Sequence, residues 1–274
     1  MLDKEVEFSC PFGKDKLKRV QRELVELFSH INDIFQQNEI RFFLMYGSLL
    51  GAVRHQGFIP WDDDLDLAIY EEDYEKAVQL LRTQLPKKYI VHDKLTDPIY
   101  WNAYSKVRCL NSEGVHSIWL NANKYKYRGI GIDLFQIREG NASKFYAKRN
   151  RAKEHAVLLI KKIPYEKKWR QKGGFFLHAL PSIVRYFLYA FFNIISKKRK
   201  SYLCDPEVLS VPLPLNAIFP LQKATFEGME TFVPHQPNVV LTAQYGDYMI
   251  FPPVEKRIQH FSDITFFDDP IMLQ

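Results

Sequence analysis

Cysteine is scarce. Cys10, Cys109 and Cys204 are odd in number and scattered, with no closely spaced ligand pair, so neither a disulfide framework nor a cysteine-based zinc site is encoded. Such usage fits a reducing cytosol. The opening residues, MLDKEVEFSC, show no basic segment leading into an apolar one, which reads against a secretory signal. No fixed-period repeat runs through the chain, which excludes solenoid architectures. An uninterrupted membrane-spanning run is also missing. Phe175 to Ile195 has the length of a span, ~20 residues, but His178, Pro181 and Arg185 break it, and it reads as buried or lying at a membrane surface. Acids are nearly absent from residues 141–200, where Glu154 and Glu166 face 16 Lys or Arg. That block carries +14 within a chain of net +6, so it favours an anionic partner such as a phospholipid surface. Its apolar character and the lack of any nucleic-acid motif argue against nucleic acid.

What remains is a chain able to bury a large core. It has 274 residues, 46% of them hydrophobic and 15% aromatic. Apolar residues at three- and four-residue spacing predict a helix over 15–38. Arg41 to Tyr46 reads as a buried strand ended by Gly47-Ser48, with a short helix over Leu49 to Arg54 and a loop from His55 to Trp61. Leu65 to Ile69 alternates as a strand does, and Glu71 to Leu85 reads as a helix with acids in its first turn. Strands are expected at 89–92, 103–110 and 130–137, a mostly helical block at 144–200, and a helix at 238–245. The fold class expected is α+β, a mixed sheet flanked by helices.

The chemistry is concentrated in Tyr46 to Tyr70, where Asp62, Asp63, Asp64 and Asp66 fall within five residues. Carboxylates packed this closely repel one another and call for a counter-ion. Residues two apart on a strand share a face, so Asp64 and Asp66 project together while Leu65 and Leu67 enter the core. Two adjacent carboxylates at a strand end make a hard-oxygen site suited to Mg²⁺ or Mn²⁺. Upstream, backbone N–H groups at the Gly47-Ser48 turn and the Ser48 hydroxyl are suited to phosphate oxygens. A solvated acidic loop is the bland alternative, weakened by the flanking Trp61, Leu65, Leu67 and Ile69.

A glycine-serine turn followed by Asp-apolar-Asp-apolar resembles the nucleotidyltransferase fold of the DNA polymerase β superfamily. The longer string, GSLLGAVRH then GFIPWDDDLDLAI, resembles the LicD family of phosphotransferases, whose relatives include fukutin and fukutin-related protein. NAYSKVR with Lys106, GIGIDLF with Asp133 and YGDYMIFPPVEKR at Tyr245 to Arg257 extend the likeness. The resemblance implies a nucleotidyltransferase-like core at 1–140, a basic, apolar helical insertion at 141–205 that meets acceptor or membrane, and a carboxy-terminal segment at 206–274 completing the active site. It implies Asp64, Asp66 and Asp133 as catalytic metal ligands for Mg²⁺ or Mn²⁺. Gly47, Ser48, Arg54, His55, Lys106, Asp247, Lys256 and Arg257 are the implied substrate contacts. The donor would be CDP-linked (choline, glycerol or ribitol type) and would release CMP. The acceptor would be a hydroxyl of a glycan or its lipid-linked precursor, and the enzyme would be cytoplasmic, at most peripheral at the inner membrane face.

Plainer roles stand beside these. Arg54 contacts a phosphate or pairs with Asp62 or Asp63. His55 is a general base or bonds locally, and Lys106 reaches a phosphate or is solvated. Trp61 packs beneath the loop or stacks on a base. Asp247 and Lys256-Arg257 contact donor or acceptor, and Gly246 marks a helix end. Rival functions are a metal-dependent glycosyltransferase, a nucleotidyltransferase releasing pyrophosphate, and a non-catalytic glycan- or membrane-binding scaffold.

Overall fold

The computed structural model describes residues 6–100, 104–118, 120–141, 201–204 and 213–268, and the single positions 102, 184, 187 and 191. The expected helical block at 144–200, including Phe175 to Ile195, lies outside the described residues except for Val184, Phe187 and Phe191. These three are helical and solvent-exposed.

Helix α1 (Lys14–Gln37) forms because its apolar residues recur on one stripe; Leu17, Val20, Leu24, Leu27, Phe28, Ile31, Ile34 and Phe35 are all buried. Asn38 closes it, donating from both its backbone and its side-chain amide to the Ile34 carbonyl. The chain then enters β1 (Phe42–Leu44), buried at every position. Helix α2 (Tyr46–His55), β2 (Leu65–Tyr70), α3 (Glu71–Gln84), β3 (Tyr89–His92), β4 (Ser105–Cys109), β5 (Ser112–His116) and β6 (Gly131–Asn141) follow.

The central sheet runs β1-β2-β6-β4-β3. Only β2 and β6 are parallel; the other neighbours on this path are antiparallel. Parallel neighbours need a long crossover, and here β6 returns beside β2 after α3 and three strands. The far end of β6 pairs with β7 (Ser201–Cys204), which pairs with β8 (Leu213–Pro214). The result is a mixed α/β fold with a mixed sheet. After the short α4 (Leu215–Ile218) come the hairpin β9 (Gln222–Phe226) and β10 (Met229–Val233), helix α5 (Pro237–Tyr245) and β11 (Phe261–Phe266). Strand β11 pairs with β5, a polar pair that periodicity had not suggested.

Two further departures from expectation have local causes. Helix α2 starts at Tyr46, three residues before the expected Leu49. Met45 is extended, Tyr46 takes φ 49°, and Leu49 N–H already donates to the Met45 carbonyl. Gly47 and Ser48 are therefore the helix's first turn and not a bend preceding it. Strand β6 runs on to Asn141, past the expected end at residue 137, because β7 supplies a ladder there.

Helix α2 must lie close against the loop that follows it. A side chain on Gly51 would stand 2.3 Å from the Gly57 carbonyl oxygen. Gly51→Ala is expected to destabilise the fold by about 1–3 kcal/mol through overpacking against backbone, which thermal denaturation measures. The loop is also held from outside. Glu227 Oε1 accepts from Phe58 N–H at 2.9 Å, and Glu227 N–H donates to the Gln56 carbonyl at 2.9 Å.

Two histidines make the fold acid-sensitive. His92 is fully buried among Tyr100, Tyr125 and Tyr127, with Nε2 3.0 Å from Asp97 Oδ2. His116 is buried with its ring 4.4 Å from Phe261, and neither nitrogen has a hydrogen-bond partner. Burial, then the Arg108 charge, lowers His92 to about 3 and His116 to about 2. Both stay neutral in the fold, whereas the unfolded chain takes up their protons near pH ~6.5. Their stabilising contribution is therefore complete above ~6.5 and is lost progressively as pH falls from there towards the folded values. Melting temperature is expected to decline below pH ~6, and His116→Phe is expected to flatten that decline in scanning calorimetry.

Candidate active site

The site forms where β2, β6, β4 and the start of α2 meet. Leu65 and Leu67 are fully buried and Asp66 between them is half-exposed, the alternation that a strand imposes. Asp66 is in direct register with Asp133 across the parallel β2–β6 ladder. Lys106 faces Asp133 on the other side, in register across β6–β4, and its Nζ lies 2.5 Å from Asp133 Oδ1. Asp66, Asp133 and Lys106 thus form a row across three neighbouring strands.

Asp62 and Asp64 complete the acidic cluster. Burial, then the charges of Asp64, Asp133 and Asp62, pushes the Asp66 carboxyl well above the usual carboxylate range, with Lys106 opposing. Asp62 is raised in the same way by burial and then by Asp64, which is close enough to share a hydrogen bond with it. Tyr245, at the end of α5, is 46% exposed, and its hydroxyl is raised by burial and by the charges of Asp66, Asp62 and Asp64, which lie within electrostatic range of it.

The N-terminal end of α2 braces this arrangement. Ser48 is buried, and its Oγ accepts from Asp66 N–H at 2.8 Å, so the hydroxyl fixes the strand at the aspartate. Met45 N–H donates to the Asp66 carbonyl at 3.1 Å. Gly47 leaves room for Asp62, since a Cβ there would sit 2.8 Å from Asp62 Oδ2.

Asp63 does something else. Sharing strand parity with Leu65, it points inward and is completely buried. Its carboxylate accepts from His260 N–H (3.0 and 2.9 Å), from Phe261 N–H (3.0 Å) and from His260 Nδ1 (2.9 Å). Gln259 Nε2 adds a bond to the Trp61 carbonyl at 3.1 Å. This clasp ties the aspartate loop to the start of β11. The Asp64 charge, then the Asp63 hydrogen bond and charge, hold His260 well above its usual range against the effect of burial, and His260 Nδ1 is 3.3 Å from Asp64 Oδ2.

Among the described residues one group of acidic and histidine side chains brings its ligand atoms close enough together to hold a metal ion. Ligand atoms of Asp63, Asp64 and His260 lie within 4.8 Å of one another. In that group, however, both Asp63 oxygens are already engaged by N–H donors, and the His260 Nδ1 proton is directed at them. Asp64, Asp66 and Asp133 are not gathered so tightly; Lys106 meets Asp133 and His260 meets Asp64, while the Asp66 carboxyl is crowded by its acidic neighbours, and three carboxylates are the donor type a hard divalent cation prefers.

The remaining candidates are spread more widely. Arg54 pairs with neither Asp62 nor Asp63. It is buried, donating from Nε to His55 Nε2 (2.9 Å) and from Nη1 to the Tyr248 carbonyl (2.8 Å). His55 is stacked on Phe251 at 5°, and burial and then Arg54 lower it to about 4. With its Nε2 accepting from Arg54, it is engaged away from the aspartates. Trp61 is buried against Phe8 and Phe251. Arg257 lies over Trp61 and Phe251. Asp247 and Lys256 are exposed, and no contact among the described residues joins them to the aspartates. Sequence reasoning missed Asp63, His260 and Tyr245. The period-2 rule could have found Asp63, but nothing local marks the other two.

Fold and site together define a mixed α/β protein with an acidic cluster at the strand ends of its sheet. Residues 39–171, just under half of the chain, match the family described as LicD/FKTN/FKRP, nucleotidyltransferase domain. It is 37% identical over 109 residues to an uncharacterized protein of Rickettsia prowazekii, covering 39% of this chain and 37% of that one. It is 23% identical over 261 residues to the lipopolysaccharide cholinephosphotransferase LicD of Haemophilus influenzae, covering 89% of this chain and 95% of LicD. It is also 44% identical over 59 residues to the human ribitol 5-phosphate transferase FKRP, covering 22% of this chain and 12% of FKRP.

Proposed function

We propose that this chain is a metal-dependent transferase with a nucleotidyltransferase-like catalytic core. It moves a phospho-alcohol group from a CDP-linked donor to a hydroxyl of a glycan or its lipid-linked precursor and releases CMP. The observation that carries this reading is the in-register pair Asp66 and Asp133, crowded by Asp64 and Asp62. Two relatives support the substrate class, one named a cholinephosphotransferase and the other a ribitol phosphate transferase.

Asp64, Asp66 and Asp133 would hold Mg²⁺ or Mn²⁺. When bound, the ion supplies positive charge that neutralises the donor diphosphate and the departing CMP. Asp133 also orients the acceptor hydroxyl. Lys106 fixes Asp133 and is available to a phosphate oxygen. Backbone N–H groups of the first turn of α2, at Gly47 and Ser48, present the positive end of the helix to the donor. Ser48 sets the position of Asp66, and the Asp63–His260 clasp holds the loop that carries Asp62 and Asp64. Arg54, His55, Asp247, Lys256 and Arg257 serve as outer substrate contacts.

The assignment of 1–140 as core, 141–205 as acceptor- or membrane-facing insertion and 206–274 as the completing segment belongs to the same reading. No helix among the described residues is long and apolar enough to cross a membrane. Val184, Phe187 and Phe191, exposed at helical spacing, support contact with a lipid surface that presents the acceptor.

Phosphorus NMR of the reaction products tests the assignment. Release of CMP from a CDP-alcohol is expected, with EDTA abolishing turnover and Mg²⁺ or Mn²⁺ restoring it. Release of UDP or GDP would mark a glycosyltransferase, pyrophosphate a nucleotidyltransferase, and no turnover with any nucleotide a binding scaffold.

A further inference from the structure

The far end of α2 carries an unbalanced cationic cluster. Arg54 is 7% exposed, and its Nη2 is buried without a hydrogen-bond partner. Its other contacts are to the neutral His55 ring and a backbone carbonyl. Arg257 is half-buried and likewise bonds only backbone carbonyls, those of Pro252 (2.9 Å) and Glu7 (2.5 Å). Both guanidinium groups lie on Phe251, with Cζ 4.5 Å from the ring centroid for Arg54 and 5.6 Å for Arg257. They are close enough that Arg257 adds to the effect of burial in destabilising the Arg54 charge. Neither meets a carboxylate among the described residues.

Two cations gathered without a counter-charge, one of them buried, are unfavourable unless an anion joins them. Stacking on Phe251 offsets part of that cost, but it leaves Arg54 Nη2 unmet. A guanidinium fork with free N–H groups matches phosphate oxygens.

We propose that Arg54 and Arg257, set on Phe251, form a phosphate subsite separate from the aspartate cluster. The subsite takes a phosphate group of one of the substrates. A rise of ~1.5 Å per residue puts Arg54 ~9 Å along α2 from Ser48, so this phosphate is not the one met at Asp66. The identity of the ligand as a substrate phosphate rests on the proposed function; the anion site itself rests on the arginine geometry.

Isothermal titration of the full chain with inorganic phosphate in EDTA tests the subsite without metal. Wild type is expected to bind, with affinity falling as salt rises. Arg257→Gln, at a half-buried position and with its fold checked by thermal melting, is expected to weaken binding at least tenfold, and Arg54→Gln at least as much. Asp66→Asn is expected to leave it intact. Competition then identifies the source: stronger displacement by CMP assigns the phosphate to the nucleotide donor, and stronger displacement by glycerol 3-phosphate assigns it to the acceptor. No binding by wild type, equal binding by Arg257→Gln, or loss of binding in Asp66→Asn would each overturn the subsite. Failure of the aspartate reading would leave these results unchanged, and retained metal-dependent turnover without phosphate binding would remove the subsite alone.

Discussion

Asp66→Asn is expected to cut turnover by on the order of 10³-fold or more while leaving the protein as stable as wild type or more so. Asp66 pays a penalty for its position. It is held among Asp64, Asp133 and Asp62, and its carboxyl is raised by burial and by those charges. An amide of the same shape removes one charge from the crowd, and its backbone bonds to Ser48 Oγ and Met45 N–H do not involve the side chain. The folded state thus loses repulsion, while the reaction loses a ligand for the cation that neutralises the donor. Steady-state turnover and a thermal melt on the same purified variant check both halves. Near-normal turnover would remove Asp66 from the mechanism, and a large drop in melting temperature would make its role structural.

Asp63→Ala is expected to do the reverse, acting first on stability. Its carboxylate is fully buried and serves His260 N–H, Phe261 N–H and His260 Nδ1. Removing it orphans these donors and takes from His260 its hydrogen-bonded carboxylate, leaving Asp64 at 3.3 Å and the more distant Asp62 to face it. Breaking a buried pair in this way costs about 3–5 kcal/mol, which lowers the melting temperature by roughly 6–20 °C for a chain of this size. Activity is expected to fall as well, because the loop bearing Asp62 and Asp64 loses its anchor to β11. A variant that melts within a degree or two of wild type would show that the clasp does not hold the fold.

The contrast between Asp63 and Asp66 shows where the sequence was legible. Asp66 between Leu65 and Leu67 could be placed by strand alternation, and the same rule carried two residues back from Leu65 turns Asp63 inward. The run of three acids concealed this, since composition alone suggests a solvated or metal-bound loop. Helix α1 was readable because its apolar stripe is unbroken over 24 residues. The start of α2 was not, because it depends on Met45 and Tyr46 conformations set by pairing with β2. The β5–β11 pair joins segments nearly 150 residues apart with polar sequences, and no local pattern announces a long-range ladder. The same holds for His260 and Tyr245, brought to the aspartates by tertiary packing. Arg54 illustrates the opposite error: a charged residue ending a short helix reads as exposed, yet packing on Phe251 buries it.

The central claim is that carboxylates on neighbouring strands, Asp64, Asp66 and Asp133, bind the catalytic divalent ion. Mn²⁺ binding followed by electron paramagnetic resonance, on wild type and on Asp66→Asn, Asp133→Asn and His260→Ala, tests it most directly. Binding is expected in wild type, largely retained in His260→Ala, and lost in both aspartate variants. Binding that survives Asp66→Asn and Asp133→Asn but disappears in His260→Ala would contradict the claim and move the metal to the Asp63–Asp64–His260 group.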